Sequence, residues 1–147
     1  MAFEAAQQLI AAGVNVKGLI LIDAPSPIKH QPLPDEIIAN IAPSKGEQEQ
    51  ESHALLRREF QRNASLLGTY KPVPISKKNY RLKTVMLRSQ DNFDSEKLCG
   101  VRYDWLSSQE TRDAAITFWE GVVGGHVKVL PIPGNHFEAF SKQNVSV

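Results

Sequence analysis

The chain has 147 residues, 41% apolar and 22% charged, which suits one ordinary domain with its own core. Its 17 Lys and Arg nearly balance 16 Asp and Glu, a net charge of +1, which argues against a nucleic-acid or anionic-membrane surface. A single cysteine, Cys99, excludes an internal disulfide framework and a cysteine-rich metal site.

Residues 3–12 form the first expected helix. Ala2, Ala5, Ala6, Leu9 and Ala12 recur at three- and four-residue spacing, and Gly13 is a natural stop. No N-cap precedes it, so the preceding strand is expected upstream of Met1. Residues 16–22 are nearly continuous and apolar without alternation after Gly18, the pattern of a parallel strand covered on both faces. Helix, glycine turn and buried strand make half of a βαβ unit.

Asp23 ends that strand, and Pro25, Pro27, Pro32, Pro34 and Pro43 follow, excluding regular structure to about Leu33. Helices are expected over residues 35–41 and 47–67, the second opened by the capping-box spacing of Ser44 and Glu47. Its early Glu47, Glu49 and Glu51 and late Arg57, Arg58 and Arg62 suit the helix dipole. Residues 82–87 are a second strand. Ser107 and Glu110 repeat the capping spacing and open a helix through about Trp119, closed by Gly121, Gly124 and Gly125. Residues 127–130 are a third strand, followed by the loop 131–136. No internal repeat or low-complexity tract occurs.

That order is the second half of a mostly parallel α/β sheet with a helical insertion over residues 34–80. In such sheets functional groups collect at the carboxyl ends of strands, where Asp23, Asp91 and His136 stand. A histidine there can act as a general base near neutral pH, with a carboxylate holding its tautomer. On pattern alone a general base and a plain loop cap fit His136 equally well, and Asp23 and Asp91 both qualify as its partner.

Other candidates are weaker. His30, His53 and His126 lack metal-ligand spacing, so no metal is expected. Cys99 has no histidine near it in sequence and reads as an inert thiol. Neither phosphate-loop pattern occurs, so no cofactor is expected. No G-x-S-x-G pentapeptide occurs either, so a serine nucleophile would have to lie upstream. Residues 63–65 and 144–146 match the glycosylation sequon. With no basic segment ahead of an apolar run after Met1, both read as chance. No run approaches the roughly 18–20 apolar residues that span a bilayer. The expected location is the cytoplasm, with no membrane and no nucleic acid as partner.

Three stretches carry a resemblance: residues 2–9 (AFEAAQQL), residues 18–25 (GLILIDAP) and residues 133–137 (PGNHF). Through them the chain resembles the thioesterase (and Claisen-cyclase) domain that ends fungal polyketide synthases, an α/β-hydrolase family. The resemblance spans nearly the whole chain, strongest at its two ends. It implies an incomplete α/β-hydrolase fold, a single partial domain over residues 1–147, and a lid over residues 34–80. It implies Asp23 as the acid and His136 as the base of a Ser-His-Asp triad whose serine elbow is absent here. It implies an acyl carrier protein with a phosphopantetheine-bound acyl chain as partner, along with the missing N-terminal half. Leu55, Leu56, Phe60, Leu66 and Leu67 would line the acyl chamber, though core packing suits each as well. One departure is Glu138-Ala139-Phe140, where relatives carry small residues and Met. Lacking its nucleophile, the chain alone is expected to be inactive. The alternatives are an inactive truncated fragment or interaction module of a larger synthase, and an unrelated α/β domain relying on Asp91.

Overall fold

The structure is a computed structural model describing residues 2–28, 31–41, 47–75, 82–139 and 141, the side chains at 41 and 47–50 excepted. Helix α1 (Ala2–Ala11) buries Phe3 and Ala6. It ends in a paired closure: Gly13 donates to the Ile10 carbonyl at 3.0 Å and Val14 to the Leu9 carbonyl at 2.9 Å. Gly13 takes φ of 82°, which a side chain would oppose. Strand β1 (Gly18–Ile22) follows. Helices α2 (Asp35–Ile41) and α3 (Glu47–Thr69) come next. Then come β2 (Lys83–Ser89), the short helices α4 (Ser95–Cys99) and α5 (Asp104–Ser107), α6 (Gln109–Val123) and β3 (Val127–Ile132).

The three strands form one parallel sheet in the order β1-β2-β3, with Leu21 opposite Met86 and Met86 opposite Val129. Parallel register puts such partners on one face. That face carries Leu19, Leu21, Met86 and Val127, packed under Phe3 of α1 and Trp119, Val122 and Val123 of α6. The Phe3 and Trp119 rings meet edge to face at 5.9 Å. A second cluster joins Ile37 of α2 to Tyr103, Trp105, Leu106 and Ala115.

The expectation of a strand covered on both faces is overturned. Ile20 is 66% exposed and Ile22 50%, because α1 and α6 lie together on the opposite face. The β1 run is apolar on both sides, yet only one side is buried here.

Further corrections are local. The N-cap of α6 is Ser108, whose hydroxyl accepts from the Thr111 N–H, so the Ser107–Glu110 capping box does not form. Ser107 instead ends α5 and donates to the Phe93 carbonyl at 3.1 Å. Gly121 lies inside α6, which stops at the left-handed Gly124. Ser44 and residues 144–146 lie outside the described residues, as do His30 and Phe140. Among the described residues no helix is long and apolar enough to cross a membrane.

Candidate catalytic site

Asp23 is the first residue after β1, at the carboxyl edge of the sheet. Its backbone N–H still reaches the Leu87 carbonyl at 2.7 Å, prolonging the β1–β2 ladder by one rung. Its φ is 39°, the one positive value on a non-glycine among the described residues. Aspartate enters that region at lower cost than most residues, and such outliers gather where a side chain must be aimed. The carboxylate is turned inward and is only 2% exposed.

His136 stands in the turn after β3. Gly134, at φ of 80°, redirects the chain out of the strand. Asn135 then organises the turn, its Oδ1 accepting from the N–H groups of Phe137 at 2.9 Å and Glu138 at 3.2 Å. The loops after β2 and β3 are joined, Gln90 donating to the Ile132 carbonyl at 3.0 Å and Asp91 to the Gly134 carbonyl at 3.1 Å. The Phe137 ring meets Phe93 edge to face at 4.9 Å and fixes the far side of the turn.

These two elements bring His136 Nδ1 to 2.8 Å from Asp23 Oδ2, across 113 residues of sequence. An ionised carboxylate only accepts, so the imidazole proton sits on Nδ1 and Nε2 keeps its lone pair. A third of the His136 side chain is exposed, while that of Asp23 is almost closed off. Burial pushes the Asp23 carboxyl upward. The hydrogen bonds from His136 and from the Ser89 side chain and backbone, with the attraction of His136, outweigh it and hold the group below its ordinary value. The pair therefore sets an ionised acid behind the imidazole, the arrangement that lets an imidazole accept a proton and be stabilised when charged.

Asp91 is not brought to His136. Its side chain is exposed, and its carbonyl accepts from Arg112 at 3.2 Å. His126 pairs with Glu120 at 2.7 Å, away from the site. The Cys99 thiol is half-buried and donates to the Ser95 carbonyl at 3.0 Å. Among the described residues no cluster of His, Cys, Asp and Glu is arranged to hold a metal ion. Of the expected chamber residues, Leu55, Leu56 and Leu66 are exposed. Phe60 borders a cavity of about 550 Å³ with Pro32, Leu33, Ile38 and Ala64, a volume within the range of ligand sites. Leu67 borders a separate, mostly apolar pocket beside Ile20, Ile22 and Tyr70.

Two residues that sequence reasoning passed over complete the surroundings of Asp23. Ser89, the last residue of β2, donates its N–H to Asp23 Oδ1 at 3.1 Å and its hydroxyl to Oδ2 at 2.6 Å. Arg112 of α6 is 2% exposed and donates to Ser89. The available signal was position: Arg112 shares a three- and four-residue spacing with the buried Ala115, Trp119, Val122 and Val123.

No family model matches the chain. It is 34% identical over 143 residues to the orsellinic acid synthases of Armillaria mellea and Armillaria ostoyae, matching 95% of this chain and 6% of each relative. To the orsellinic acid synthase of Beauveria bassiana it is 28% identical over 176 residues, 99% of this chain and 8% of that protein. The chain thus spans less than a tenth of the length of the curated relatives it matches. Among solved structures, a four-domain nonribosomal peptide synthetase bound to AMP and glycine superposes with a TM-score of 0.61 at 16% identity, over 97% of this chain and 12% of that one. That likeness is one of fold.

Proposed function

We propose that this chain is the acid–base part of a thioesterase-like releasing domain of a polyketide synthase, acting in the cytoplasm within an α/β-hydrolase fold of which residues 1–147 are one partial domain. The observation that carries the reading is the 2.8 Å contact between His136 Nδ1 and the buried Asp23 carboxylate, at the carboxyl ends of two parallel strands. The similarity of nearly the whole chain to orsellinic acid synthases supports a role in such a synthase. The partner would be an acyl carrier protein presenting its chain on a phosphopantetheine thioester.

In the complete site a serine hydroxyl, absent from any G-x-S-x-G in these 147 residues, would face His136 Nε2. His136 takes the serine proton as Oγ attacks the thioester carbonyl, then returns it to the departing thiolate. Water deprotonated by His136 attacks the acyl-serine, and the serine oxygen leaves with that proton. Asp23 stays ionised and stabilises the imidazolium in both halves. The relatives are named for a free carboxylic acid, and release as a free acid consumes water, so hydrolysis is preferred over ring closure. Residues 34–80 would be the lid, with the cavity beside Phe60 receiving part of the acyl chain.

The test uses an acyl-N-acetylcysteamine thioester. Extended upstream through a serine elbow, the chain turns the thioester over, and Asp23→Asn and His136→Ala each lower kcat by roughly a thousandfold or more. The 147-residue chain by itself gives no turnover. Turnover by that chain, lost in His136→Ala, would mean that the nucleophile lies within these residues. Unchanged turnover in both variants of the extended protein would sink the proposal.

The second reading, an inactive piece or interaction module of a larger synthase, is favoured by one observation. Among the described residues His136 bonds through Nδ1 to Asp23, and none of their hydroxyls is hydrogen-bonded to its Nε2.

A further inference from the structure

The Ser89 hydroxyl has one proton to donate. Arg112 Nη1 lies 2.7 Å from Ser89 Oγ, and a guanidinium only donates. Oγ must therefore accept from Arg112, which leaves its own proton for Asp23 Oδ2 at 2.6 Å. The same Nη1 holds the Ser89 carbonyl at 3.1 Å. Nη2 holds the Asp91 carbonyl at 3.2 Å and also Asn92 Oδ1. One end of the guanidinium is thus spent on the last residue of β2 and the other on the segment that follows it. Helix α6 grips the other side of the acid too, because Trp119 Nε1 donates to the Pro25 carbonyl at 3.0 Å.

Resting on the reading of Asp23 and His136 as an acid–base pair, the geometry points to Arg112 and Ser89 as positioning residues. Arg112 fixes the direction of the Ser89 hydroxyl, and Ser89 fixes the Asp23 carboxylate so that Oδ2 meets His136 Nδ1.

Several observations separate this from ordinary core filling. Among the described residues Arg112 is the largest fully buried side chain, only 2% exposed. Burial lowers its pKa, against the attraction of Asp23. The other charges that reach it are Arg88, Asp113 and Asp91. Arg88 is itself bonded to Asp113 and Gln109, and the Asp91 side chain is exposed. Asp23 is therefore the buried carboxylate that answers the buried guanidinium, with Ser89 between them. A lysine could supply the charge but not several donors in a fixed plane.

The experiment is nuclear magnetic resonance on the full 147-residue chain. It follows the His136 Nδ1 proton resonance and the titration of the Asp23 carboxyl carbon, with the indole N–H signals of Trp105 and Trp119 reporting the fold. Asp23→Asn is expected to abolish the Nδ1 resonance; if it survives unchanged, the underlying acid–base reading fails, whatever Ser89 does. Ser89→Ala and Arg112→Met are expected to shorten the exchange lifetime of that proton at least tenfold and to move the Asp23 midpoint upward. Arg112→Lys is expected to resemble Arg112→Met. Ser89→Thr, which keeps the hydroxyl, is expected to restore both signals. Wild-type lifetime and midpoint in folded Ser89→Ala overturn the proposal. Should Arg112→Met not fold, the Ser89→Ala and Ser89→Thr pair, which changes little volume, still decides it.

Discussion

At the residue scale the site is decided by how few groups surround one carboxylate. Asp23 accepts from His136 and twice from Ser89, and these bonds outweigh the burial that would otherwise protonate it. Its pKa is lower folded than unfolded, where about 3.9 is usual. The folded state therefore binds fewer protons, and stability rises with pH through this window. The stabilisation is full above the unfolded value and is lost as pH falls through the folded one. Asp23→Asn is accordingly expected to be less stable than wild type in urea at pH 7, with the gap narrowing toward pH 3. A gap that holds constant across that range would mean that the carboxylate charge contributes nothing. Position after an apolar run or its turn made Asp23, Asp91 and His136 candidates alike, and only the resemblance favoured Asp23 over Asp91. Ser89 and Arg112 were not candidates, since serine at a strand end reads as a polar terminus and arginine in a helix usually reaches out to water.

At the element scale, length governs what sequence can show. The long helices and three strands carry enough apolar pattern to be seen, and their boundaries moved by no more than two residues except at the end of α6, which runs four residues past Trp119 to Val123. Helices α4 and α5, of five and four residues, are too short for any period, and only α4 has a side-chain cap. Asp94 accepts from the Lys97 N–H at 3.0 Å to open α4. Capping also accounts for the one-residue error at α6. Ser107 and Ser108 are adjacent, and the spacing to Glu110 favours the first, but the turn of α5 consumes Ser107. Ser108→Ala should cost about 1 kcal/mol in urea unfolding, the usual price of a lost N-cap, while Glu110→Ala should change little. The reverse order would restore the Ser107–Glu110 box.

At the scale of the whole molecule, a three-stranded sheet has been given helices on one face. Periodicity could not reveal this, because a strand apolar on both sides looks the same whether one face is covered or two. Among the described residues β1 and β3 are both edge strands, and Ile20, Ile22 and Leu130 stand exposed on the open side. An apolar patch beside an unpaired edge favours self-association. Neighbouring positions of β1 separate that effect from folding. Ile20 is 66% exposed and Leu21 is 5% exposed. Ile20→Lys gives up only the buried third of a side chain, less than about 1 kcal/mol. It places a charge where a second sheet would have to stack. Leu21→Lys forces an ammonium under Trp119 and Phe3, a loss of several kcal/mol against a total stability of about 5–15. Sedimentation velocity should show Ile20→Lys as folded and more monomeric than wild type, whereas Leu21→Lys should lose its cooperative urea transition. If Ile20→Lys unfolds as Leu21→Lys does, the open face is covered in solution, and the one-sided packing described above is wrong.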